Sequence, residues 1–392
     1  MQKPNTNSRY THLECHECHA IFDKEELHSY CHTCNQPLMA RYGLAKGEGK
    51  NEILDVKSLW RYATLLPLEH RENIVTLGEG FTPILPLDRI SKKLGFAKAI
   101  SMKDEGHNPT GSFKARGMSV AISKAKELGV TQCCTPTAGN AGSALAAYTA
   151  KANMSSKIYM PILTPKMFQY DCTLMGAEVV LVDGSIRDAG IKMAEDNRSI
   201  NAWDVSTLKE PFRLEGKKTL GYEIAEQGNW TLPDVIFYPT GGGTGLIGIW
   251  KAFQEMKELG WIDEIRTRMI AVQMEGCDPI VKAFEANAHA SQLCEHPLPT
   301  AANGLRVPKA FGDKLILKAI YESNGCAIRV SEDSMLDALQ YTAKLEGHFL
   351  SPEGAALIAA MQIARDQNQI DVTEKVMIIN TGSGYKYVEN LW

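Results

Sequence analysis

Four stretches of this chain carry residue types whose spacing could do chemistry. The first runs Lys103-Asp104-Glu105-Gly106-His107-Asn108-Pro109-Thr110-Gly111-Ser112-Phe113-Lys114-Ala115-Arg116-Gly117, with turn formers at Asn108-Pro109 and Thr110-Gly111 just ahead of Lys114. A lysine at a helix N-terminus with cationic neighbours is favoured as the neutral amine, which can attack a carbonyl and form a Schiff base. Taken alone, Lys114 reads better as a solvated surface charge at a helix start. The second stretch, Pro239-Thr240-Gly241-Gly242-Gly243-Thr244-Gly245, lets backbone approach a phosphate and then opens a helix whose first N–H groups lack intrahelical acceptors. Gly243, Gly245 and Gly248 also satisfy the dinucleotide fingerprint, and Glu275 stands where a ribose-binding carboxylate would be, so the glycines leave two cofactor classes open. No Lys-Ser or Lys-Thr follows them, which argues against a P-loop.

The third stretch pairs Cys15-x-x-Cys18 with Cys31-x-x-Cys34 across a spacer of 12 residues. Each pair can turn two thiolates towards one tetrahedral ion, so a structural zinc ribbon is expected. The spacer is shorter than the usual range of about 15–20 residues, and His16, His19, His28 and His32 crowd the same segment as competing ligands. The fourth, Thr381-Gly382-Ser383-Gly384, follows the apolar run Val376 to Asn380; a hydroxyl there could hydrogen-bond a ring nitrogen, and a plain glycine turn reads as well.

Positioning these groups requires alternating strands and helices. After Lys114, Met118, Ala121, Ile122, Ala125 and Leu128 recur at helical spacing and Gly129 supplies a stop. Strands are predicted at Cys133 to Thr137, Lys157 to Ile162, Val179 to Val182, Asp234 to Tyr238, Met269 to Met274 and Val376 to Asn380. Helices are predicted around residues 140–152, 165–175, 186–197 and 215–227, and from the glycine cluster to about residue 259. Such alternation implies parallel sheets with helices on both faces, an α/β fold. Leu59, Trp60, Tyr62, Leu65 and Leu66 predict a further helix, Gly78-Glu79-Gly80-Phe81-Thr82-Pro83 a turn, and Ser351-Pro352-Glu353-Gly354 a helix entry.

Bulk properties bound the function. A chain of 392 residues has room for two or three domains and a large core. Its 42 basic and 46 acidic residues, with net charge −4, give no electrostatic footprint for nucleic acid or a membrane surface. The first residues lack the apolar core of a signal peptide, and no apolar run reaches the length of a membrane span, so a cytoplasmic location is expected. Ten cysteines are too sparse for a disulfide scaffold, and Cys133, Cys134, Cys172, Cys277, Cys294 and Cys326 read as ordinary thiols.

A lysine loop, the Gly139-Asn140 strand-to-helix turn, a tri-glycine loop and a terminal Thr-Gly turn answer four needs of one cofactor, pyridoxal phosphate. Asn108-Pro109-Thr110-Gly111-Ser112-Phe113-Lys114, Gly139-Asn140 and Thr240 to Gly245 together resemble threonine synthase and its relatives among the fold-type II pyridoxal-phosphate enzymes, over nearly the whole chain. The cysteine ribbon followed by Gly78-Glu79-Gly80-Phe81-Thr82-Pro83 is similar to prokaryotic members, and Leu208 to Thr219 resembles their substrate-phosphate region.

The resemblance implies Lys114 as Schiff-base lysine and base, with Phe113 and Asn140 beside the cofactor ring, Gly241, Gly242, Gly243, Thr244 and Gly245 on its phosphate, and Thr381 at its pyridine nitrogen. It also implies Ser206, Thr207 and Arg213 as substrate contacts, a homodimer, and conversion of O-phosphohomoserine and water to threonine and phosphate. The implied organisation is a zinc-ribbon-like segment at 1–45, a large cofactor-binding domain at 46–119 and 209–392, and a small domain at 120–208. One departure stands beside the lysine: many threonine synthases read Ser-Phe-Lys-Asp-Arg-Gly, and here Ala115 replaces the acid. A serine/threonine dehydratase or a β-replacement synthase shares the framework and is the nearest alternative, with an NAD-binding oxidoreductase further off.

Overall fold

A computed structural model describes residues 6–391, and by contact density the chain divides into two compact units. The first comprises residues up to Phe81, Asn108–Thr219 and Glu258–Gly260; the second comprises Thr82–His107, Leu220–Lys257 and Trp261 to the C-terminus. Contact density thus groups the ribbon and the start of the Lys114 helix with the smaller sheet, whereas the sequence groups residues 46–119 with the larger one.

The first unit begins with an antiparallel four-stranded ribbon, ordered Ile21–Phe22, Tyr10–Cys15, Gln36–Tyr42, Tyr30–Cys31. Its two cysteine turns repeat one geometry: the His19 N–H donates to the Cys15 carbonyl at 3.1 Å and the Asn35 N–H to that of Cys31 at 2.8 Å. In each, the residue after the second cysteine takes a left-handed φ, +60° at His19 and +55° at Asn35. Behind the ribbon lies a parallel sheet ordered Trp203–Asp204, Gln132–Pro136, Ser155–Pro161, Glu178–Val182, wound with the helices Lys114–Glu127, Asn140–Lys151, Lys166–Leu174 and Ile186–Ile200. The apolar runs predicted as strands and the helical periodicities between them form as expected, within a few residues at their ends. Leu59–Leu65 is helical but of the tighter 3₁₀ kind, with a break at Tyr62. Trp60, Ala115, Met118, Leu145 and Phe212 join a single apolar cluster that ties ribbon, sheet and helices together.

The second unit is a six-stranded sheet ordered Cys326–Val330, Arg268–Met274, Val235–Pro239, Val376–Asn380, Ser101–Asp104, Ile84–Pro86. All pairings are parallel except the last, so five strands point their carboxyl ends to one edge. The strands Val235–Pro239 and Val376–Asn380 are buried throughout, as strands covered on both faces by helices must be. The Pro352–Asp366 helix opens at the predicted position, where the Ser351 hydroxyl accepts from the Gly354 N–H at 3.2 Å. The fold is therefore the expected one, with two parallel α/β sheets and an antiparallel cysteine ribbon. No helix among the described residues is long and apolar enough to cross a membrane.

Candidate active site

In the first unit, Lys114 opens the Lys114–Glu127 helix and is half-buried. The turn before it is forced: Thr110 and Gly111 take φ of +59° and +66°, a left-handed pair that a threonine tolerates at a cost of about 1–2 kcal/mol. The Asn108 side chain holds the base of this loop by accepting from the Gly80 N–H at 3.0 Å. The Lys114 amine stands 4.4 Å from the centre of the Phe113 ring, and the buried Ser112 hydroxyl makes no hydrogen bond. Asn140, also half-buried, is the first residue of the Asn140–Lys151 helix, just past the carboxyl end of strand Gln132–Pro136.

The same unit brings the Phe212–Gln227 helix against the Lys114 helix at two glycines. A Cβ at Gly216 would lie 2.0 Å from the Arg116 carbonyl oxygen, and one at Gly117 would lie 2.8 Å from that of Arg213 and 2.9 Å from Lys217 Nζ. Only hydrogen at both positions lets the two backbones approach this closely. The starts of both helices therefore share one neighbourhood, in which Lys217 Nζ is 5.5 Å from the centre of the Phe113 ring.

Arg213 and Lys217 are fully buried, and Arg213 gives Nη1 to the Val205 carbonyl while its Nε and Nη2 make no hydrogen bond. Glu210 caps the helix, accepting from the N–H groups of Phe212 and Arg213 at 2.7 and 2.9 Å. Burial pushes the Glu210 carboxyl up to about 7, against the downward pull of Arg213, Lys217 and those N–H groups. Burial, then the charges of Arg213 and Lys114, hold the Lys217 ammonium well below the usual lysine range, with Glu210 opposing. Ser206 is buried and folds back on Asp204, its N–H donating at 2.8 Å; Thr207 is half-buried, and Leu208 after it takes φ +60°.

Glu79, which the sequence presents only as part of a turn, is fully buried and gathers five donors: Trp60 Nε1, Thr76 Oγ1, Leu77 N, Ser119 Oγ and Tyr148 Oη, at 2.5–3.1 Å. It thereby ties the helices that begin with Lys114 and Asn140. An acid between two glycines was its only sequence signal; Lys217 and Glu210 had none beyond their residue type.

In the second unit, the glycine loop follows strand Val235–Pro239 and Thr381 follows its neighbour Val376–Asn380, so parallel pairing places both on one edge of the sheet. Gly243 needs its glycine twice, for a φ of +70° and because a Cβ would meet Ile316 at 2.2 Å. Cβ atoms at Gly241 and Gly245 would meet the Gly304 carbonyl at 2.1 Å and the Tyr238 hydroxyl at 1.7 Å. Gln273 steadies the loop by donating to the Thr240 carbonyl at 3.0 Å. The 15-residue helix Thr244–Glu258 then offers its N-terminus, the donor set a phosphate dianion requires. Thr381 is buried, and its strand end is pinned where Asn380 Nδ2 donates to Asp104 at 2.8 Å. Lys103, in the same motif as Lys114, is no candidate: it is fully buried and donates to Thr82, Glu223 and Gln227 at 2.7–2.8 Å.

The sulfurs of Cys15, Cys18, Cys31 and Cys34 lie within 4.8 Å of one another, a cluster that could hold a metal ion. His16 and His19 point to other partners, Gln36 at 3.1 Å and Glu14 at 2.7 Å. The ribbon also reaches the candidate site's scaffold: Tyr42 Oη donates to Glu215 at 2.7 Å, and the Tyr10 ring meets Phe212 edge-on at 6.4 Å.

A pyridoxal-phosphate dependent enzyme family model matches residues 75–382. The threonine synthase of Methanosarcina acetivorans is 36% identical over 374 residues, covering 95% of this chain and 91% of that protein. The threonine synthase of Methanocaldococcus jannaschii is 34% identical, covering 95% and 92%. Among solved structures, threonine deaminase isoform 2 of Solanum lycopersicum superposes with a TM-score of 0.66 at 21% identity, over 79% of this chain and 86% of that one. Maize serine racemase superposes with a TM-score of 0.65 at 21% identity, over 79% and 93%. At such identity these structures speak for the fold alone.

Proposed function

This chain belongs to the threonine synthases, within the pyridoxal-phosphate dependent enzymes, and from that premise we propose which residues carry its reaction. The reaction converts O-phosphohomoserine and water to threonine and phosphate. Membership decides between the two cofactor classes that the glycine loop alone left open. Bound pyridoxal phosphate supplies an electron sink that eases removal of the proton at the substrate α-carbon.

Lys114 would hold the cofactor through Nζ, and its amine would serve as the base that takes the proton from the substrate α-carbon. Phe113 and Asn140 orient the ring, the N–H groups of Gly241 to Gly245 bind the phosphate at the start of their helix, and Thr381 hydrogen-bonds the pyridine nitrogen. The donor chemistry of each set fits: a lysine on a strained turn, an amide at a helix start, a loop in which Gly241, Gly243 and Gly245 have no room for a Cβ, and a buried hydroxyl at a strand end. Ser206, Thr207 and Arg213 receive the substrate's own phosphate.

The observation that favours a phosphorylated substrate is Arg213, fully buried with two nitrogens that make no hydrogen bond among the described residues. A phosphate-release and product assay on O-phosphohomoserine, with serine, threonine and O-phosphoserine alongside, tests the reading. Turnover of serine or threonine without O-phosphohomoserine would assign the chain to the dehydratases instead.

The ribbon's ion is zinc on this reading. Tetrahedral Zn–S bonds set sulfurs about 3.8 Å apart, and here Cys15–Cys34 and Cys18–Cys31 are 3.3 and 3.6 Å apart. A cytoplasmic homodimer accords with ten free thiols and with the family resemblance; sedimentation measures the assembly.

A further inference from the structure

Buried lysines in this protein are matched by acceptors: Lys124 meets Glu127 at 2.7 Å, Lys218 meets Glu215 at 2.7 Å, and Lys251 meets Glu255 at 2.6 Å. Lys217 is as deeply buried as any of them, yet among the described residues its Nζ has no hydrogen-bond partner. An ammonium in that position lacks both water and a counter-ion, and a neutral amine lacks a proton donor; either is expensive unless something completes the site.

The surroundings specify what would complete it. Arg213 precedes Lys217 by one helical turn, so both heads share a face, and among the described residues the Arg213 Nε and Nη2 likewise make no hydrogen bond, Nε lying 4.0 Å from Glu210 Oε1. Both lie in the first two turns of a 16-residue helix, at the end whose dipole favours an anion. The charged groups that bear on Lys217 are Arg213, Lys114 and Glu210, and the Glu210 carboxylate is already occupied by two backbone N–H groups. Gly117 keeps the space open, since a Cβ there would lie 2.9 Å from Lys217 Nζ.

We propose that Lys217 is a specificity-determining ligand of the substrate's phosphate, acting with Arg213, and that it takes up a proton from solvent when that dianion binds. The proposal rests on the substrate reading above. It follows that a neutral hydroxyl in place of the phosphate, as in serine or threonine, leaves Lys217 without its counter-ion and is rejected. The depressed Lys217 ammonium supports the proton uptake, because a dianion beside the amine restores its basicity.

Calorimetry of inorganic phosphate binding to the holoenzyme near neutral pH, in two buffers of different ionisation enthalpy, reads affinity and proton uptake together. Wild type should take up more protons than Lys217→Gln; the difference is the readout, because Glu210 and phosphate also titrate. The variant should bind phosphate about ten- to a hundredfold more weakly, the loss expected for one charge-assisted bond, while keeping the cofactor's visible absorption. Lys217→Met should behave alike. Equal phosphate affinity in wild type and variant would overturn the proposal, and so would a wild-type proton uptake no greater than the variant's. Phosphate binding through Lys217 without turnover of O-phosphohomoserine would refute the substrate reading alone. Turnover with unchanged phosphate affinity in the variants would refute the role of Lys217 alone.

Discussion

Gly216→Ala should unsettle the site without touching a reacting atom. Its Cβ would stand 2.0 Å from the Arg116 carbonyl oxygen and 2.9 Å from the Gly117 Cα, both backbone atoms that cannot rotate away. Ordinary contact begins near 3.4 Å, so the Phe212–Gln227 and Lys114–Glu127 helices must part by about 1 Å or more. Two effects compete. Alanine in a helix interior gains about 0.5–1 kcal/mol over glycine, whereas overpacking a close contact costs about 1–3 kcal/mol. The second wins, and thermal unfolding by circular dichroism should fall by a few degrees. The larger consequence is kinetic, because Lys114 and Arg213 sit at the starts of the two separated helices, and a misplacement of about 1 Å can lower turnover a hundredfold. Steady-state phosphate release measures it. A Gly216→Ala protein that melts at or above the wild-type temperature and turns over normally would show that helix propensity governs here, and the close-approach reasoning would fail.

Lys114→Ala should lose covalently held cofactor, seen as the absence of borohydride-fixed label on the chain, and fall by orders of magnitude in turnover; retention of both would remove Lys114 from its role. Cys15→Ser, or a strong chelator, should abolish bound metal by elemental analysis and, because the ribbon supports Phe212 and Glu215, raise KM for the phosphorylated substrate before cofactor binding is affected. Glu79→Gln should destabilise by about 1.5–3 kcal/mol, since five donors converge on the carboxylate and an amide nitrogen cannot accept from any of them; denaturant titration measures it. Glu353 is held by Gly304 N–H and Tyr387 Oη, and burial raises its carboxyl above the ordinary value. The stability it contributes is therefore present below the ordinary carboxyl value and lost as pH rises through the raised one, so Glu353→Gln should gain on wild type in melting temperature as pH rises through that window.

Much of the fold was legible because local signals sufficed. Buried parallel strands are short unbroken apolar runs, helices between them repeat at 3.6 residues, and the glycine cluster, Asn140 and Thr381 all lie in turns after such strands. The four cysteines were legible for the same reason, since a Cys-x-x-Cys turn needs only its own few residues. The residues that escaped are those whose meaning depends on partners far along the chain. Glu79 is a turn residue until Ser119 and Tyr148 fold against it, and Lys103 and Lys114 look alike until one is found in contact with Glu223 and the other on a strained turn.

By itself, then, the amino-acid order determined the α/β class and the cysteine cluster, and it proposed the lysine, asparagine, glycine-loop and threonine set, because each element or turn is written in its own short run of residues. Only the tertiary structure decided which buried charges are satisfied. Lys217 reads as an ordinary helix residue until Gly117 and Gly216 bring two backbones together, and the lack of a hydrogen-bond acceptor for its Nζ among the described residues is a property of the packed interior that no local pattern encodes.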